Sequence, residues 1–318
     1  MKYRMLTLAP LPLPVLQSLF ADDRLELFAP AERTQEAADA AMSEADFILG
    51  DWTPQLRVND PGPRAVFVQQ PSVGVDGIDL EACTRRGVTV ANTAGANANS
   101  VAEWCVGAAF ALTRKTVEAD AAVRRGEWPQ TTLGGREIAG QKVGVIGMGA
   151  IGSRVARLFE ALGCGVQYWS RSRHLDAPCE YAELDDLLAT SDIVILVIAL
   201  GPQTRGLIDA SRLSAMKHGA LLINGARGGV VEEAALIEAL ESGSIGGAAI
   251  DVFTQEPLPM DSPLLTSRAL LSPHIAGSTA EASLRIVTQA KENLERALDG
   301  QPVLDVVNGL PGLIKLVR

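Results

Sequence analysis

The apolar positions of this chain cluster into short runs separated by Ala- and Glu-rich stretches with helical spacing. Up to about Asn92 the runs cover 3–8, 47–49, 65–68 and 88–90, and a second series covers 143–146, 166–169, 193–200, 221–224, 248–253 and 270–272. Each has strand length. Alternation of buried strands with helices predicts parallel sheets, and two series predict two α/β domains. Between them, 100–113 reads as a largely apolar helix crossing the domain boundary, with Ser100 as N-cap and Glu103 completing a capping box. A last helix over 279–298 ends at Gly300 and Pro302, and the tail beyond it carries no recognisable chemistry.

Composition narrows the function classes. With 28 basic against 38 acidic side chains the formal charge is −10, which provides no field for phosphate backbones or anionic lipid, so neither nucleic acid nor a membrane is an expected partner. The 47% hydrophobic content supports a full core. No apolar run approaches the roughly 20 residues of a spanning helix. Lys2 and Arg4 before an apolar stretch imitate a secretory signal, but Pro10, Pro12 and Pro14 interrupt it, and a cytoplasmic location is expected. Four dispersed cysteines and three histidines suggest neither a disulfide framework nor a metal site.

The first chemical motif is a strand over 142–146 that runs into Gly147, Gly149 and Gly152 of a G-x-G-x-x-G loop and then a helix over 153–162. Strand, glycines and helix together predict a dinucleotide site, with Gly147 in the tight turn, Gly149 where backbone approaches a pyrophosphate, and Gly152 where helix meets strand. At the end of the next strand, where NAD enzymes carry an acid for the ribose hydroxyls, this chain has Ser170, followed by Arg171 and Arg173. Loss of the acid and gain of two cations predict NADP(H), with NAD(H) the alternative if both arginines are solvated surface groups.

Three ionisable residues follow three other strand ends. His274 stands in Ser-Pro-His-Ile-Ala-Gly, Glu256 in Gln-Glu-Pro-Leu-Pro, and Arg227 in Asn-Gly-Ala-Arg-Gly-Gly. Taken singly, each also reads as a helix cap or a surface group. Together they suit reduction of a 2-keto acid, which needs a proton donor, a group that keeps the donor charged, and an anchor for a carboxylate. His174 and His218 read as surface residues.

In order, G-x-G-x-x-G, N-x-A-R-G-G, D-V-F-x-x-E-P and S-P-H-I-A-G-S-T resemble the D-isomer-specific 2-hydroxyacid dehydrogenases, particularly the NADPH-dependent glyoxylate/hydroxypyruvate reductases. The resemblance extends over nearly the whole chain, through Pro71 to Asp79, Asn92-Thr93, Val101-Ala-Glu103 and Val306-Val-Asn308. It implies that His274 is the general acid, that Glu256 raises the pKa of His274 by charge pairing, and that Arg227 binds the substrate carboxylate and polarises the keto oxygen. It further implies a second carboxylate clamp in the amides of Val73 and Gly74, a nicotinamide carboxamide contact at Asp251, pyrophosphate contacts at Gly149, Ala150 and Ile151, and ribose contacts at Ser170 and Arg171. The chain departs from the family pattern at Ser170, which removes the NAD acid, and again after Val-Ala-Glu. The usual His-Thr after Val-Ala-Glu is Trp104-Cys105, where Cys105 either faces the nicotinamide or packs in the core. In Gly50-Asp-Trp-Thr-Pro54, where relatives place a substrate-facing loop, Trp52 either closes over a small acid, packs against an apolar substituent, or is a loop aromatic.

The expected architecture is thus two Rossmann-like or flavodoxin-like parallel-sheet domains with an active-site cleft between them. Residues 98–282 would form the dinucleotide-binding domain, and 1–97 with 283–318 the substrate-binding domain, with hinges near Asn97 and Ala282. The resemblance implies a homodimer joined largely through residues 100–135. An NAD-linked dehydrogenase of a larger or phosphorylated hydroxy acid, a formate dehydrogenase relative and a dinucleotide-sensing corepressor are the competing readings. Ser170 and the lack of a regulatory extension argue against the first, and Glu256 against the second. Intact Arg227, Glu256 and His274 argue against the third.

Overall fold

A computed structural model describes residues 2–53 and 55–316, so Pro54 of the Trp52 motif lies outside the described residues. The chain divides into two compact units, Met1–Asn97 with Ala280–Arg318, and Ala98–Thr279.

The first unit holds a five-stranded parallel sheet of β1 (Tyr3–Thr7), β2 (Leu25–Phe28), β3 (Phe47–Leu49), β4 (Phe67–Gln69) and β5 (Thr89–Ala91), ordered β2-β1-β3-β4-β5. Helices α1 (Leu13–Leu19), α2 (Gln35–Met42) and α3 (Leu80–Arg85) connect the strands. Alternation along the strands feeds two cores. Met5, Phe47, Leu49, Phe67 and Ala91 enter one, while Leu6, Ile48, Val68 and Val90 enter the other.

The second unit begins with α4 (Ala98–Thr113) and α5 (Thr116–Arg124). Its seven-stranded parallel sheet contains β6 (Lys142–Ile146), β7 (Gly165–Trp169), β8 (Glu180–Tyr181), β9 (Ile193–Leu196), β10 (Leu221–Asn224), β11 (Gly247–Ile250) and β12 (Leu270–Leu271), in the order β12-β11-β10-β9-β6-β7-β8. Between them run α6 (Ala150–Ala161), α7 (Leu184–Thr190), α8 (Ala210–Ala215) and α9 (Glu233–Ser242). Ile193 and Ile195 of β9 point into one core and Val194 and Leu196 into the other, all four fully buried, and each contributes about 1.5–3 kcal/mol of burial. The final helix, α10 (Ala280–Leu298), returns to the first unit, where Ala290, Leu294 and Ala297 pack with Met5 and Leu16. Asn308 then fastens the tail to β5 by accepting from the Val90 amide (3.1 Å) and donating to the Val88 carbonyl (2.9 Å).

Several sequence expectations need correction. Ser100 is not an N-cap: α4 starts two residues earlier and lies wholly in the second unit, with the Ser100 hydroxyl bonded to the Thr279 hydroxyl at 2.9 Å. The helix after the glycine loop starts at Ala150, inside the motif. The run 193–200 is a strand only to Leu196, because that residue is the last to pair with Ile146 of β6 and Asn224 of β10. The run 248–253 likewise stops at Ile250, opposite Asn224. Strand ends therefore fall on one line, and the site loops start there.

Candidate active site

The strand order of the second sheet reverses between β6 and β9, and at such a switch point the loops leave in opposite directions and open a crevice. The glycine loop leaves β6 at this point. Gly147 has φ +106°, a conformation that favours glycine, and a Cβ there would meet the Val197 carbonyl oxygen at 2.7 Å. A Cβ on Gly152 would come within 1.9 Å of the Gly147 carbonyl oxygen, so helix and turn close only without a side chain. Gly149, by contrast, faces open space. The first amide bonded to the N-cap carbonyl is that of Ser153, to Gly149 at 3.0 Å, leaving the amides of Ala150, Ile151 and Gly152 at the positive end of α6. An open cradle of amides at a helix N-terminus fits a dinucleotide pyrophosphate.

At the end of β7, Ser170 is buried and its hydroxyl donates to the Ser172 carbonyl at 2.6 Å. Arg171 is exposed and lines a cavity of about 620 Å³ shared with Trp169, Glu183, Asp186, Gln203 and Arg212. Arg173 is turned away onto β8: its guanidinium lies 4.2 Å from the Tyr181 ring centroid and 3.4 Å from the Glu183 carboxylate.

Arg227, Glu256 and His274 follow β10, β11 and β12, three adjacent strands. The buried Asn224 side chain shapes the Arg227 turn by accepting from the Ala226 amide (3.0 Å) and donating to the Arg227 carbonyl (3.2 Å). Gly228 lets this turn lie against the next loop, since a Cβ there would come within 2.0 Å of the Phe253 carbonyl carbon. In that loop Glu256 accepts from the Phe253 amide through Oε1 (3.0 Å) and bonds His274 Nδ1 through Oε2 (2.8 Å). Partial burial raises the Glu256 pKa, but the His274 hydrogen bond, the Phe253 amide and the nearby charges of His274 and Arg227 outweigh it and hold the carboxyl below its ordinary value.

His274 itself has φ +54°, a left-handed conformation that costs about 1–3 kcal/mol in a non-glycine residue. The buried Asp251 sustains it. Its carbonyl accepts from the His274 amide (2.8 Å), and its carboxylate accepts from the Ser272 hydroxyl (2.6 Å), the Ile275 amide (2.9 Å) and the Ala276 amide (2.8 Å). Asp251, expected at the nicotinamide carboxamide, is thus first the anchor of the histidine turn. A carboxylate has about four acceptor positions, so one remains on Oδ2. Cys105 is fully buried, its thiol pushed up by burial and by the Asp251 charge, so it packs as an apolar residue. His174 and His218 are exposed.

In the first unit, the loop after β4 presents Val73 and Gly74. The Val73 carbonyl accepts from Asn92 Nδ2 (2.7 Å) and the Gly74 carbonyl from the Ser72 hydroxyl (2.8 Å), while neither residue's amide donates to an acceptor among the described residues. Trp52, after β3, is 38% exposed. The sequence reading overlooked Asn224 and Ser272 as turn builders and Trp169, Gln203 and Arg212 as cavity walls. The former were visible as polar residues at strand ends; the latter lie too far apart in sequence for any spacing to group them. Among the described residues no cluster of His, Cys, Asp or Glu could hold a metal, and no helix is long and apolar enough to cross a membrane.

Comparison with known proteins agrees with these features. Residues 106–276 match the model of the D-isomer specific 2-hydroxyacid dehydrogenase NAD binding domain. A glyoxylate reductase of Aeropyrum pernix is 41% identical over 258 residues, covering 77% of each chain. A D-3-phosphoglycerate dehydrogenase of Mycobacterium tuberculosis is 38% identical over 282 residues, 86% of this chain, but the match spans only 53% of that longer protein. Among solved structures, an acyclic imino acid reductase in complex with NADPH and D-Arg superposes with a TM-score of 0.85 at 26% identity, over 96% of this chain and 99% of that one. By motif, fold and extent of match, the chain belongs to the D-isomer specific 2-hydroxyacid dehydrogenase family.

Proposed function

We propose that the protein reduces a small 2-keto acid, of the size of glyoxylate or hydroxypyruvate, to the D-2-hydroxy acid with NADPH. The observation that carries this reading is the 2.8 Å His274–Glu256 pair formed within the field of Arg227 at three adjacent strand ends. When bound, the reduced nicotinamide supplies a hydride to C2 of the acid. Arg227 offers a planar guanidinium to the substrate carboxylate and its charge to the keto oxygen as negative charge grows there. Glu256 accepts the Nδ1 hydrogen of His274, which fixes the ring and leaves Nε2 to deliver a proton to that oxygen. The amides of Val73 and Gly74 are the second carboxylate clamp, and Trp52 bounds the substituent. The backbone around Gly147, Gly149, Ala150, Ile151 and Gly152 would hold the pyrophosphate, and the remaining acceptor of Asp251 the carboxamide.

Ser170 in place of an acid and the exposed Arg171 support NADPH. Arg173, already held by Tyr181 and Glu183, is the weaker ligand for a 2′-phosphate. One observation favours a second reading in which NADH also serves: Glu183, Asp185 and Asp186 line the same cavity as Arg171 and oppose a phosphate there. The apolar Val117, Val123 and Trp128, the last 78% exposed, support a homodimer joined through this stretch.

Initial rates of NADPH and NADH oxidation, measured side by side with glyoxylate, hydroxypyruvate, pyruvate and a bulky aromatic 2-keto acid, test the proposal. Fast turnover of one small acid with NADPH is expected. Dinucleotide binding without reduction of any acid would favour the corepressor reading, and faster turnover with NADH would refute the reading of Ser170 and Arg171.

A further inference from the structure

A second polar network, in the first unit, plays no part in the chemistry described above. β3 and β4 are neighbours in register, Leu49 opposite Gln69, so the turn carrying Trp52 and the loop carrying Val73 and Gly74 leave the sheet side by side. Asp51 is buried, and its carboxylate accepts four hydrogen bonds: from the Arg33 guanidinium (2.6 Å), the Thr53 amide (2.8 Å), the Thr53 hydroxyl (2.6 Å) and the Leu56 amide (3.1 Å). That fills a carboxylate's acceptor capacity and fixes the backbone on both sides of Trp52. Gln70 links this turn to its neighbour. Its Nε2 donates to the Asp51 carbonyl (3.1 Å) and to the Ser72 hydroxyl (2.8 Å), which in turn donates to the Gly74 carbonyl (2.8 Å). The side chain crosses Gly50 so closely that a Cβ there would come within 1.9 Å of Gln70 Oε1.

Hydrogen bonds therefore run unbroken from Arg33 through Asp51, Gln70 and Ser72 to Gly74, and none of them pairs strands of the sheet. Trp52 is a large apolar side chain left partly in solvent on a turn tied at the Thr53 and Leu56 amides. Within this network Asp51 and Gln70 are buried, and the cost of leaving their bonded groups unpaired favours one geometry of that turn relative to the Val73 and Gly74 amides.

We infer that Asp51 and Gln70 are positioning residues for substrate size. They lock the Trp52 turn to the loop whose amides hold the substrate carboxylate, so an acid held by that carboxylate meets its limit of bulk at a fixed distance. The inference rests on the reductase reading and deepens it by assigning the size limit to side chains that touch no substrate.

The test uses the full chain with whichever cofactor sustains wild-type turnover, and compares kcat/KM for glyoxylate with that for a bulky aromatic 2-keto acid. In Gln70→Met, which keeps the bulk but donates nothing, the small-over-bulky ratio should fall at least fivefold, through KM, with the cofactor Kd unchanged. Ser72→Ala, at a partly exposed position that should tolerate the change, should move the ratio the same way by a smaller factor and serves if Gln70→Met does not fold. A ratio that stays constant or rises in a folded variant of an active enzyme overturns this inference alone. A wild type that reduces none of the acids overturns the reductase reading and the inference together, before any variant is made.

Discussion

The loops after β10, β11 and β12 and the loop after β7 belong to the same sheet but are built differently. At the first, functional groups stand on buried supports: the exposed His274 on Asp251, the half-buried Arg227 on Asn224, and the Arg227 turn against the Glu256 loop by the close approach that Gly228 permits. At the second, the Ser170 hydroxyl bonds within its own turn, Arg171 is exposed, and Arg173 is occupied by Tyr181 of β8 and by Glu183. The contrast suits the tasks proposed for the two places. Proton and hydride transfer lose rate steeply when a group moves by an ångström, whereas attraction between a guanidinium and a phosphate tolerates a swinging side chain. Substitutions at the two places should therefore differ in size and in what they change.

The largest effect is expected at the supported end. His274→Ala should lower kcat by roughly 10²–10⁴-fold with the NADPH Kd intact, measured by steady-state rates and cofactor titration. A loss below tenfold would put the proton donor elsewhere. Next, Asp251→Ala strands the Ser272, Ile275 and Ala276 donors and releases the left-handed turn, so the melting temperature should fall by roughly 5–10 °C along with the rate. Retained rate in that variant would show that the histidine turn needs no anchor. At the β7 end, Arg171→Ala should raise KM for NADPH about tenfold or more and leave NADH kinetics and kcat nearly unchanged. Equal changes for both cofactors would erase the proposed distinction between the two regions.

The smallest expected effect is a pH dependence. The Glu256 carboxyl is held below its ordinary 4.5, so its ionised form contributes stability that is fully present above about pH 4.5 and is lost as the pH falls through the depressed value. The melting-temperature advantage of the wild type over Glu256→Gln should shrink as the pH falls below about 4.5. An advantage that grows as the pH falls below about 4.5 would contradict the direction of the shift.

What the sequence revealed also divides along this line. The α/β class and most strands could be read directly, because strands buried on both faces appear as continuous apolar runs. β2 and β8 were missed: Leu-Glu-Leu-Phe is short and half polar, and Glu-Tyr has only two residues. Strand ends were overrun wherever apolar residues continue past the last pairing partner, as at Val197 to Leu200. Residue type and position after a strand singled out Arg227, Glu256 and His274, and the structure brings these three together. The roles of Asp251 toward His274 and of Gln70 between two loops depend on contacts across the sheet, which no local pattern encodes. The outward swing of Arg173 onto Tyr181 was hidden for the same reason.

The most direct test of the central assignment is a single-turnover reaction of glyoxylate with NADPH deuterated at the transferring C4 position, run with the wild type and with His274→Ala at saturating cofactor. The wild type should yield glycolate deuterated at C2, and the variant almost none over the same time. Unlabelled product from the wild type, or equal labelling by both proteins, would contradict the assignment of hydride transfer with His274 as its acid.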